Sequence, residues 1–68
     1  MSKAYKLIEV VGCSKQSYED AINNAIGEAK KTLSGLMWFE VTEFRGAITD
    51  TGTEYQATVK MGFRLKEK

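Results

Sequence analysis

Histidine and proline are absent from this chain of 68 residues, and cysteine occurs once, as Cys13. Without histidine there is no imidazole general base and no imidazole metal ligand. A lone cysteine closes no intramolecular disulfide and builds no thiolate cage for zinc. No serine or cysteine has a visible base partner in the sequence, and glycine-rich phosphate loops of the usual spacings are missing. The formal net charge is only +1, from 10 basic and 9 acidic residues, which leaves no surplus for neutralising a nucleic-acid backbone. No apolar run is long enough to span a bilayer. Met1–Tyr5 leads straight into a strand pattern without the apolar centre of a signal peptide. These absences point away from an enzyme, a metalloprotein, a nucleic-acid binder and a membrane protein. The expectation is a protein of the reducing cytoplasm.

The length allows one domain, 1–68, with a small core. Below about 70–80 residues a single core rarely supplies more than about 3–5 kcal/mol, so an additional staple is usual. With disulfide and metal excluded, association with further copies of the chain is the staple left.

The pattern reads β-α-β-β, an α+β fold. Tyr5–Gly12 is rich in β-branched and aromatic residues and predicts a strand, with Ile8 and Val10 on one face and Tyr5, Leu7 and Val11 on the other. Ser17 is a good N-cap, and Asp20 three positions on suggests a capping box with the shorter acid. Apolar residues then recur at Tyr18, Ala21, Ile22, Ala25, Ile26, Ala29 and Leu33, one stripe of a helix that Gly35 should stop. Leu36–Ile48 predicts a second strand. Its apolar phase changes from Phe39 and Val41 to Phe44, Gly46 and Ile48, which predicts a bulge near Thr42–Glu43 and makes the latter set face the helix. Trp38, Glu40, Arg45 and Ala47 then face away from it. Asp50–Thr53 predicts a turn. Glu54–Lys66 alternates cleanly, with Tyr55, Ala57, Val59, Met61, Phe63 and Leu65 on one face and Gln56, Thr58, Lys60, Gly62 and Arg64 on the other. A right-handed crossover makes the first two strands parallel, so the third fits between them as the antiparallel partner of both, giving the order 2-3-1 on one helix.

Four side chains on the face away from the helix invite a binding role. Trp38 either fills a subunit interface or stacks on a planar ligand, with a second indole arriving from a two-fold mate. Gln56 is either solvated or, once covered, offers its donor and acceptor to a uracil-like edge. Arg45 and Arg64 are either surface ion-pair residues or phosphate ligands. Arg64 lies eight residues beyond Gln56 on the same face, too far to touch the same ring atom. Cys13, Met37 and Met61 read as packing material.

The stretches YKLIEVVG (Tyr5–Gly12), SYEDAINNAI (Ser17–Ile26), KTL (Lys31–Leu33), WFEV (Trp38–Val41), RG (Arg45–Gly46), EYQ (Glu54–Gln56) and GFRL (Gly62–Leu65) resemble bacterial dodecins over nearly the whole chain. The resemblance implies a hollow homododecamer with helices outside a strongly curved sheet. It implies flavins bound in pairs at two-fold-related sites, with Trp38 from two subunits sandwiching two isoalloxazine rings. Gln56 would then bond the pyrimidine edge and Arg64 would pair with the phosphate of FMN, with Arg45 close to the same pocket. The implied role is to store FMN or riboflavin and quench its photochemistry, without substrate turnover. Some bacterial members also bind coenzyme A.

Cys13 departs from the threonine-like residue usual after the first strand's glycine. Met37 departs from a commonly polar position beside the tryptophan, which alters the rim of the implied pocket. Two other readings stand beside the flavin store: a structural homo-oligomeric module whose outer face serves assembly alone, and a small-molecule enzyme, which the missing proton-transfer groups disfavour.

Overall fold

A computed structural model describes residues 4–65. The elements are β1 (Tyr5–Ser14), α1 (Tyr18–Thr32), β2 (Leu36–Thr49) and β3 (Gly52–Arg64). They form one antiparallel three-stranded sheet in the order β1-β3-β2, with β3 central. This is the expected β-α-β-β topology. The expected tail Lys66–Lys68, including the last residue given to the third strand, lies outside the described residues, as do Met1–Lys3.

Helix α1 starts where Ser17 Oγ accepts the Asp20 N–H at 3.0 Å. The capping box does not close. Asp20 Oδ2 instead accepts the Ser14 hydroxyl at 2.7 Å, while Ser14 Oγ accepts the Gln16 N–H at 2.9 Å. The aspartate side chain is thereby turned to the end of β1, and it ties the strand to the helix start. At the other end the Leu33 N–H still bonds the Ala29 carbonyl, and the chain turns through Gly35 at φ +77°. The stop foreseen at Gly35 thus falls two residues after the helix cap.

The helix meets the sheet through its smallest side chains. Ala21, Ala25 and Ala29 are buried against Ala57, Val59 and Met61, with Ile8, Val10, Ile22, Ile26, Leu36 and Val41 around them. Alanine lets the helix backbone come close, and Gly12 completes the approach. A Cβ at Gly12 would collide with the Ala21 carbonyl oxygen and lie 2.9 Å from the Ala25 Cβ.

The bulge expected near Thr42–Glu43 is present. Val41 pairs with Val59 and Glu43 with Thr58, so Thr42 is the extra residue. A second shift, not foreseen, lies between Leu36 and Trp38 and makes Met37 extra. Phe44 faces the helix as expected, its ring edge-on to Tyr18 with centroids 5.1 Å apart, yet it stays 58% exposed and Ile48 is 95% exposed. The reason is helix placement: α1 packs on β1 and β3 and scarcely touches β2, so the helix-side face of β2 is mostly uncovered.

The resulting shape is long and thin, 53 × 21 × 13 Å. Its radius of gyration is 14.1 Å, against about 11 Å for a compact chain of this length. Among the described residues only Met61 and Val59 are fully buried side chains of substantial size. Each contributes about 1.5–3 kcal/mol, little against an ordering cost of about 1–2 kcal/mol per residue.

Candidate functional site

The sheet face turned away from α1 is set by β3. With Ala57, Val59 and Met61 in the core, Gln56, Thr58, Lys60, Gly62 and Arg64 must point the other way. Residues directly paired across an antiparallel ladder share a face. The registers therefore lay out rows across β1, β3 and β2. Leu7, Gly62 and Trp38 form one row, then Glu9, Lys60 and Glu40, then Val11, Thr58 and Glu43, and then Cys13, Gln56 and Arg45. Tyr5 pairs with Arg64 at one end. All four candidate residues lie on this face, but they fall into two groups. Arg45 and Gln56 share a row, whereas Trp38 is in the row of Gly62, six residues further along β3. At about 3.3 Å per residue that is about 20 Å along the strand.

At the apolar end the indole of Trp38 lies across Gly62. A Cβ at position 62 would be under 3.0 Å from three indole atoms, so any side chain there would displace the ring. Tyr5 meets the same indole edge-on, with ring centroids 5.1 Å apart and planes at 73°. One side of the ring is fixed by backbone and its edge by tyrosine, yet 43% of the residue remains exposed. Neither Gly62 nor Tyr5 was named as a site residue from sequence alone. A glycine inside an otherwise unbroken strand pattern is the signal that marks such a close approach.

Hydrogen bonds order the polar end. Arg45 Nε donates to Gln56 Oε1 at 2.8 Å, and Arg45 Nη1 donates to Glu43 Oε1 at 3.0 Å and Thr58 Oγ1 at 3.2 Å. Gln56 Nε2 donates to Glu54 Oε1 at 3.1 Å. The Glu43–Arg45 ion pair is open to water and contributes little to stability. Arg64 sits at the far end of β3, and its backbone N–H bonds the Gly35 carbonyl at 3.3 Å. Its row, shared with Tyr5, adjoins that of Trp38 and Gly62, so it belongs to the apolar end.

A shallow groove of about 160 Å³ lies on the other side of Trp38, between the C-terminal half of α1 and the start of β2. Ile26, Leu36, Met37 and Phe39 line it and Lys30 stands beside them. Its volume is below the roughly 300–1,000 Å³ usual for pockets that enclose a small molecule. Among the described residues no group of three or more histidine, cysteine or carboxylate side chains is placed to hold a metal ion. No helix among them is long and apolar enough to cross a membrane.

The chain that lays this indole over a strand glycine on a β-α-β-β frame matches a known family. The family model described as Dodecin matches residues 4–66. The chain belongs to the dodecin family. It is 50% identical over 68 residues to the dodecin of Thermus thermophilus, covering 98% of this chain and 99% of that one. The crystal structure of a Thermus thermophilus protein, 48% identical, superposes with a TM-score of 0.92 over 98% of this chain and 100% of that one. Dodecin from Streptomyces davaonensis, 41% identical, gives a TM-score of 0.90 over 98% and 100% of the two chains. The dodecin family model thus covers all four elements of the chain.

Proposed function

We propose that this dodecin stores flavin, FMN or riboflavin, and quenches its photochemistry without catalysing a reaction, as a homododecamer. The observation that carries the reading is the Trp38 indole: flat against Gly62, braced by Tyr5, and open on its remaining surface. A planar aromatic ligand gains about 1–3 kcal/mol from stacking on such a ring. Gln56 supplies the donor and acceptor that an imide edge requires, and Arg64, which forms no ion pair among the described residues, has a guanidinium suited to a phosphate.

The separation of about 20 Å between the rows of Trp38 and Gln56 has a consequence for assembly. One tricyclic ring cannot rest on Trp38 and bond Gln56 of the same protomer, so the site takes these residues from different subunits. The uncovered face of β2, the thin core and the elongated shape support an assembled state from the side of stability. A two-fold axis presents each contributing residue twice, which suits ligands bound in pairs.

A photoexcited flavin is a strong oxidant. Trp38 gives up an electron to it from the stacked position and takes the electron back, so no net chemistry occurs and the excitation is lost as heat. The chain has no histidine, and the carboxylates nearest the indole, Glu9 and Glu40 in the adjoining row, are both paired across the ladder with Lys60. Coenzyme A, which the resemblance also raised, has no distinct set of residues on this face.

The test is a titration of FMN and riboflavin fluorescence with the purified apo-oligomer. Saturable quenching is expected for both. An intact oligomer that leaves the fluorescence unchanged would instead support an assembly module without flavin.

A further inference from the structure

The Gln56 amide is held at both of its ends. Its oxygen accepts from Arg45 Nε, and its nitrogen donates to Glu54 Oε1. A side-chain amide turned through 180° would set its NH₂ against the Arg45 N–H and its oxygen against the Glu54 carboxylate. Donor would face donor and acceptor would face acceptor. The guanidinium itself is anchored by Glu43 and Thr58, so it cannot swing to relieve the mismatch without losing those bonds. Of the two protons and two lone pairs of the amide, one of each is used in this clamp and one of each is left.

We infer that Glu54 and Arg45 are positioning residues that fix the polarity of the Gln56 amide and so select one orientation of a bound imide ring. The inference rests on the flavin reading above. The imide edge of an isoalloxazine runs carbonyl, N–H, carbonyl, an acceptor–donor–acceptor sequence that is the same from either end. A free amide matches that edge in two ways, pairing with N3–H and the C2 carbonyl or with N3–H and the C4 carbonyl. A clamped amide allows one of them for a ring whose ribityl chain leaves the stack on a fixed side. The proton on its nitrogen must meet a carbonyl on the Glu54 side, while its oxygen meets N3–H on the Arg45 side. Glu54 touches no ligand in this arrangement. Its effect passes entirely through Gln56.

The probes are riboflavin and its 2-thio and 4-thio analogues, in which one carbonyl becomes a weak acceptor. Affinities are measured by titration against the wild-type oligomer and against Glu54→Gln, with assembly verified by size exclusion. For the wild type, one thio analogue should bind about tenfold more weakly than the other, the loss of one hydrogen bond. In Glu54→Gln the new amide accepts or donates equally well, only Arg45 still orients Gln56, and the ratio between the analogues should fall part of the way towards one. Glu54→Asp keeps the acceptor and should keep the ratio. Arg45→Leu removes the other end and should lower the ratio as well, which preserves the test if Glu54→Gln does not assemble, and the double variant, with neither end left, should bring it to one. A ratio unchanged in the variants, or equal binding of the two analogues by the wild type, overturns the inference and leaves the flavin reading intact. A wild-type oligomer that binds none of the three flavins overturns both.

Discussion

Trp38 and Gly62 are cross-strand partners in which the absence of a side chain on one makes room for the ring of the other. The indole occupies the volume that a Cβ would fill, so a single methyl group at position 62 should lift it. Gly62→Ala is expected to leave the oligomer assembled, because the ring can swing towards solvent. Flavin binding should weaken by about tenfold or more, since stacking is worth about 1–3 kcal/mol. Size exclusion together with a riboflavin titration checks both halves of this expectation.

Replacing the ring itself is more severe. Trp38→Ala should abolish most of the flavin affinity and the quenching with it, whereas Trp38→Phe should retain part of the stacking area and lose much of the electron donation. Binding measured by equilibrium dialysis, set against quenching measured by fluorescence, separates the two effects. Normal affinity in Trp38→Ala would disprove a stacked site.

Arg64 is expected to discriminate between ligands rather than to support the fold. Arg64→Ala should weaken FMN and spare riboflavin, which lacks the phosphate, and the FMN preference of the wild type should diminish as salt is raised. Parallel titrations at two ionic strengths reveal whether the guanidinium meets the phosphate. Equal losses for both ligands would place Arg64 elsewhere.

Much of this site was legible in the chain before its structure. Strict alternation along Glu54–Lys66 placed Gln56, Gly62 and Arg64 on one face, and the phase change in the second strand located the bulge at Thr42. The bulge at Met37 was not legible, because a strand of apolar residues on both sides of the shift keeps no phase to break. The exposure of Phe44 and Ile48 was missed for a related reason. Periodicity identifies an apolar face but not the element that covers it, and here the helix lies over β1 and β3. Asp20 was assigned to the helix cap by spacing, yet Ser14 competes for it from the end of β1, a contact between elements that spacing cannot express. The gap between Trp38 and Gln56 needed the register of both ladders.

The junction of β1 and α1 should prove the most sensitive part of the protomer. Gly12→Ala drives a methyl group into the Ala21 carbonyl, and backbone cannot move aside as a flexible side chain does. A loss at the upper end of about 1–3 kcal/mol is expected. Ser14→Ala frees Asp20 and the Gln16 N–H together and should cost about 1–2 kcal/mol. Thermal unfolding of each variant, at fixed protein concentration because the chain is read as an oligomer, measures these losses.

Stacking against Trp38 is tested most directly by the excited-state lifetime of riboflavin bound to the wild-type oligomer. A lifetime far shorter than that of free riboflavin, restored in the fraction still bound by Trp38→Phe, is the result the stacked indole predicts. Bound riboflavin that keeps the lifetime of the free molecule would contradict it, since a flavin in contact with an electron-rich indole cannot remain excited that long.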